Sequence, residues 1–235
     1  MKDDDPFPNC RGQSGASKLK RRLPSITVRR EPTEDSTMGI DQNKIRLTGE
    51  NSFLTLSESE GGDQTARNSH WRIHLSPKGS GHVLFTRSQF TNGEPRIYSD
   101  NAALARWLQE GVQASMGDTF AGCSLPIVEA DFWKKGDTLT FWSEYIQTPD
   151  ELITLTWYDF REPVFFESPP GEKEGQPHGV YSILVPATRA QMTVDGAVAE
   201  GQAHPRELES ATISSCCLAL SETWTIPRDH EWANE

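Results

Sequence analysis

From about residue 40 to residue 225 the chain alternates apolar and polar residues with a period of two, and turn-forming residues cut the alternation into short runs. Successive side chains of an extended strand point to opposite faces, so this pattern specifies half-buried β-strands rather than helices. The candidate strands are 44–48, 52–56, 70–75, 82–89, 96–98, 124–132, 138–146, 152–160, 164–167, 179–185, 190–194, 197–200 and 216–225. Between them stand Asn92-Gly93, Pro149-Asp150, Pro169-Pro170-Gly171 and Asp195-Gly196. Each suits a turn, through a preset φ or a tolerated left-handed one. Asp195-Gly196 is the clearest hairpin signal, because a type I′ turn needs positive φ at both central residues.

One segment has helical period instead. Asp100-Asn101 supplies a cap, and Leu104, Trp107, Leu108 and Val112 recur at i, i+3, i+4 and i+8 on one face. Gly117 offers a stop. Many short strands with one amphipathic helix specify a mainly β fold, an antiparallel β-barrel or sandwich, with a calycin-like architecture among the candidates. The helix then plugs an end or packs outside.

Residues 1–37 are rich in Pro, Ser and Gly and poor in large apolar groups, so they read as a disordered tail. A single β-rich domain is expected over 38–228, with a short C-terminal tail at 229–235. Charge divides along the same boundary. The tail holds 8 basic and 6 acidic groups, net +2; the whole chain holds 23 and 34, so residues 38–235 hold 15 and 28, net −13. A body this acidic repels phosphate backbones, which argues against nucleic acid as a partner. No window approaches 18 consecutive apolar residues, so no membrane-spanning helix is expected. The basic run Lys18-Leu19-Lys20-Arg21-Arg22 reads as a solvated tail, a nuclear-import signal or a docking patch. Cys10, Cys123, Cys216 and Cys217 form no CxxC pair, and the N-terminus has no apolar leader. A reducing, cytoplasmic setting is the expectation, with nuclear entry through residues 18–22. Cys216 and Cys217 should point to opposite faces of one strand as inert buried thiols.

Two constellations carry chemistry. In the first, alternation puts His70, Arg72 and His74 on one face and Trp71, Ile73 and Leu75 on the other. Matching Trp71 and Ile73 to Phe85 and Val83 on the next strand places His74 opposite His82. Three imidazoles could hold zinc or iron, but the fixed charge of Arg72 repels a cation. An anion-binding or acid–base face is the better functional reading, and a polar surface is the plain one. No cofactor is expected.

The second constellation sets acids beside aromatics. A three-residue loop at Thr148-Pro149-Asp150 would gather Trp142, Glu144, Thr154, Thr156 and Tyr158 on one face, with Phe141, Tyr145, Ile153, Leu155 and Trp157 on the other. In the last strand Leu218, Leu220, Glu222 and Trp224 would share a face, so an acid interrupts an apolar row. Desolvation there raises a carboxyl pKa, the mark of a candidate general acid–base. The expected enzyme acts on a small apolar or aromatic, secondary-metabolite-like molecule, as a lyase, isomerase or hydrolase, with the acid–base carboxylate inside a β-barrel cavity lined by aromatics. Glu222 or Glu144 exchanges the proton and Tyr158 orients the substrate. Trp142, Trp157, Trp224, Arg72, His70, His74 and His82 bind it. The alternatives are a non-catalytic ligand-binding barrel and a protein-interaction module with a basic docking tail.

Overall fold

The computed structural model describes residues 44–114, 120, 125–172, 177–208 and 211–227. The two tails, Gly117, Cys10 and Cys123 lie outside the described residues.

Fourteen strands are present among them: β1 (Ile45–Ser57), β2 (Gln64–Leu75), β3 (Gly81–Ser88), β4 (Arg96–Ser99), β5 (Ile127–Glu129), β6 (Asp131–Gly136), β7 (Phe141–Gln147), β8 (Leu152–Phe160), β9 (Val164–Ser168), β10 (Gly179–Val194), β11 (Ala197–Val198), β12 (Pro205–Leu208), β13 (Ala211–Ser214) and β14 (Cys216–Thr225). Ten of them follow the order β5-β4-β3-β2-β1-β14-β10-β8-β7-β6, with β9 and β11 added on β10. All pairings are antiparallel except β4 with β5. The two ends of this path, β5 and β6, are separated by Ala130 alone, whose N–H donates to the Ser99 carbonyl at 3.2 Å. The sheet therefore turns back on itself as a nearly closed barrel. Closure removes most of the exposed edge that an open sheet would present.

Both faces of the sheet are packed. Inward residues of β1, β3, β7, β8, β10 and β14, including Leu54, Leu84, Ile146, Leu155, Trp157, Val185 and Leu218, form the luminal core. Outside, Leu47, Trp71, Ile73, Val83, Phe85 and Trp224 meet the helical segment. That segment is α1 (Ala102–Trp107), continued by a π-helical turn over Leu108–Gln113. Asn101 caps it, accepting from the Leu104 N–H at 3.1 Å, and the expected stripe Leu104, Trp107, Leu108 and Val112 is the buried one. A second outer layer is the β12–β13 hairpin, whose Leu208 and Ile213 pack with Leu184, Cys217 and Ala219.

The Asp195-Gly196 turn joins β10 to β11 with φ of 51° and 82°, as a type I′ turn requires. Cys216 faces the lumen and Cys217 the hairpin; both are free, and burial pushes each thiol up to about 12. Close backbone approach is decisive at Gly49, beside a register shift between β1 and β2. A Cβ there would stand 2.2 Å from the Arg72 carbonyl oxygen. Gly49→Ala should therefore push β1 from β2 and destabilise the domain by about 1–3 kcal/mol in urea unfolding; an unchanged midpoint would show that the strands relax freely.

Candidate functional site

Three registers differ from expectation, and each has a local cause. The β2–β3 pairing sets Trp71 opposite Val83 and Arg72 opposite His82, two residues away from the expected match. A slip of two preserves faces, so His70, Arg72 and His82 still share a side. His74 passes beyond the paired region and is exposed, because Ser76–Gly79 closes its own tight turn. The β7–β8 loop has four residues rather than three, since Gln147 pairs with Leu152. That one-residue change sets Trp142, Glu144, Ile146, Ile153, Leu155 and Trp157 on the inner face and turns Tyr158 outward. Tyr158 pairs across strands with Arg189, whose guanidinium lies 5.8 Å from its ring centre. In β14 the left-handed φ of Ser221, 52°, inserts a bulge: β10 advances two residues from Tyr181 to Ile183 while β14 advances three, from Thr223 to Leu220. Glu222 and Trp224 therefore leave the luminal row of Leu218 and Leu220 and face outward.

Inside the barrel the histidine–Arg72 face meets Glu144 from the opposite wall. Arg72 Nη2 donates to both Glu144 oxygens at 2.9 and 2.7 Å, and Arg72 Nη1 to Glu50 Oε2 at 3.0 Å. Trp142 Nε1 donates to Glu144 Oε1 at 2.7 Å. His82 accepts from Arg72 Nε at 3.1 Å through Nε2, while its Nδ1 lies 2.6 Å from Asp100 Oδ2; those partners leave Nδ1 as the ring's donor. Phe132 stacks on His82 with centroids 5.2 Å apart, and Lys134 lies over Trp142 and within 3.7 Å of Glu50. His70 Nε2 is buried, 4.0 Å from Glu144 Oε2, without a hydrogen bond.

Burial governs the charge states here. It pushes Glu144 up to about 7, against the opposing pull of Arg72 and Trp142. It also drives His70 well below its ordinary value, helped by the positive charges of Arg72 and Lys134. The cluster clamps β2 to β7 across the lumen, and Glu144 is 1% exposed. Trp157 belongs to the same packed interior, its indole donating to the Phe53 carbonyl at 3.0 Å. At the mouth lies a shallow cleft of about 740 Å³ bordered by Arg72, His74, His82 and Asp100.

A second cleft, about 570 Å³, opens on the outer face of the sheet between the β12–β13 hairpin and the β1–β2 strands. Its wall carries Glu222, 5% exposed. Trp224 Nε1 donates to Glu222 Oε1 at 2.6 Å. Asn51 adds polar support at the same carboxyl and is held in turn by Ser69, which donates to its Oδ1 at 3.1 Å; the buried Ser182 hydroxyl makes no hydrogen bond among the described residues. Ser69 accepts from Gln113 of the π-helical turn at 3.4 Å. Burial outweighs the Trp224 hydrogen bond and the other polar neighbours and pushes Glu222 up to about 7. Phe53, Phe166, Leu208 and Ile213 supply apolar wall.

Of the expected site residues, Arg72, His70, His82, Glu144 and Trp142 converge in the lumen, with Trp157 packed in the core nearby. Glu222 and Trp224 form the heart of the outer cleft; His74 and Tyr158 join neither. Glu50 was missed in the luminal cluster, as were Asp100 and Lys134 at the cluster's exposed edge, and Asn51, Ser182 and the β12–β13 residues in the cleft. A charged Glu50 in the inward row Glu50, Ser52, Leu54, Leu56 is the signal that could have found the first of these. Among the described residues no group of three His, Cys, Asp or Glu side chains is arranged to hold a metal ion. His70 and His82 centroids are 6.3 Å apart, and the expected third member, His74, lies apart from them at the rim. No helix among the described residues is long and apolar enough to cross a membrane. Compared with protein-family models, with curated proteins and with solved structures, the chain matches none.

Proposed function

We propose that this chain is a small-molecule enzyme of the lyase, isomerase or hydrolase type, with Glu222 as general acid–base in the outer cleft. The observation that carries this reading is a buried carboxyl in an apolar-walled cleft, held by Trp224 and poised near neutrality. A cleft of this volume suits a small ligand, and a proton-transfer group works best with a pKa close to the working pH. In this reading Trp224 fixes Oε1, Oε2 carries the exchangeable proton, and Phe53 and Phe166 contact the apolar body of the substrate. Glu144 has a different task. Its oxygens are taken by Arg72 and Trp142, so it holds the barrel rather than reaching a substrate.

The test is deuterium exchange from heavy water into a panel of aryl ketones and aryl β-hydroxyketones, read by mass spectrometry. Exchange catalysed by the full chain and lost in Glu222→Gln supports the reading. A rate that survives the substitution contradicts it.

A further inference from the structure

The outer cleft differs in charge from the rest of the domain. Residues 38–235 carry a net −13, yet the charged groups that line this cleft among the described residues are two guanidiniums, Arg67 and Arg206, and the single carboxyl of Glu222. Arg206 stands on the β12 rim, is exposed, and makes no ion pair among the described residues. A carboxyl that burial keeps protonated up to about pH 7 adds no charge below it. The cleft thus presents an exposed guanidinium, Arg206, at its rim within an acidic body, and a positive group at the mouth of a pocket concentrates anionic ligands there.

We infer that the cleft selects a small amphipathic anion, an apolar or aromatic body bearing a carboxylate, with Arg206 receiving the carboxylate and Phe53 and Phe166 the body. This names the substrate class for the Glu222 reading and rests on it. Guanidinium is the suitable receiver because its planar fork matches a carboxylate with two parallel N–H donors. The geometry also separates the two polar tasks, with charge recognition at the hairpin rim and the exchangeable proton at the sheet floor.

The experiment compares 2-naphthoate with 2-naphthamide, which share a ring system and differ in charge, by calorimetric titration of the full chain at pH 6. Naphthoate should bind about tenfold more tightly, the scale of one charge-assisted hydrogen bond. Arg206→Gln should remove most of that preference, Arg206→Lys should keep part of it, and Glu222→Gln should leave it intact. Equal binding of the two probes, or a preference unchanged in Arg206→Gln, overturns the anion assignment while leaving the Glu222 reading standing. Binding of neither probe overturns both.

Discussion

Replacing Glu144 by Ala should destabilise the domain by about 3–5 kcal/mol, the cost of breaking a buried ion pair by removing one partner. The substitution strips Arg72 of its bidentate acceptor, deprives the Trp142 indole of its acceptor and opens space between β2 and β7. Glu50 continues to hold Arg72 Nη1, so the loss falls short of leaving a naked buried cation. The paired replacement Arg72→Met with Glu144→Leu should cost less than Glu144→Ala alone, because it removes both charges together and refills the lumen with apolar volume. Urea unfolding of the three proteins checks the order. If Glu144→Ala unfolds at the wild-type midpoint, the cross-lumen clamp contributes nothing and the reading of Glu144 as structural falls.

Glu222 should behave in the opposite sense for stability and for chemistry. Below about pH 4.5 the carboxyl is protonated in both the folded and unfolded chain, and its contribution is fully present. As pH rises toward 7 the unfolded chain releases the proton while the folded chain keeps it, so stability falls across this window. With a folded value raised from 4.5 to about 7, the loss is on the order of 3 kcal/mol above pH 7. Gln cannot ionise, so Glu222→Gln should recover much of that loss at pH 8 and little at pH 4.5. Glu144 titrates in the same direction, and His70 opposes both below pH 6.5, since its depressed folded value makes acid favour the unfolded chain. Comparing variant with wild type at each pH removes those shared contributions. Meanwhile the proton exchange should drop about 10²–10⁴-fold, the usual worth of a positioned acid–base group. Stability gained while activity is lost marks a carboxyl retained for chemistry. A variant less stable than wild type at pH 8 would mark a structural hydrogen-bonding role instead.

The barrel was legible because alternation and turn chemistry survive in tertiary context. β8 and β14 match their expected ranges, the Asp195-Gly196 hairpin forms, and the helical stripe is buried. Where expectation divided strands, at 44–48 with 52–56 and at 179–185 with 190–194, the chain instead runs on as the long β1 and β10. β12 and β13 were missed because Pro205-Arg206-Glu207 is too polar to read as a strand; Leu208 and Ile213 gain their apolar partners only from the sheet beneath. Pairing across strands was less legible than the strands themselves. Alternation assigns faces but not loop lengths, so one extra residue after Gln147 reversed the expected partners of Glu144. Ser221 adopts a left-handed φ without the glycine that would have announced it. Alternation also cannot say which face is inside when both are buried. In β2 the apolar row Trp71 and Ile73 packs under the helix, and the polar row His70 and Arg72 fills the lumen. Amphipathic pattern alone would have turned that strand the other way.

The most direct test of Glu222 as the acid–base group is its own titration, followed by the carboxyl carbon resonance of ¹³C-labelled glutamate and assigned by comparison with Glu222→Gln. A midpoint near 7 is the result expected of a desolvated carboxyl held by Trp224. A midpoint near the ordinary glutamate value of about 4.3 would mean that Glu222 is ionised at neutral pH, and the cleft would lose its proton donor.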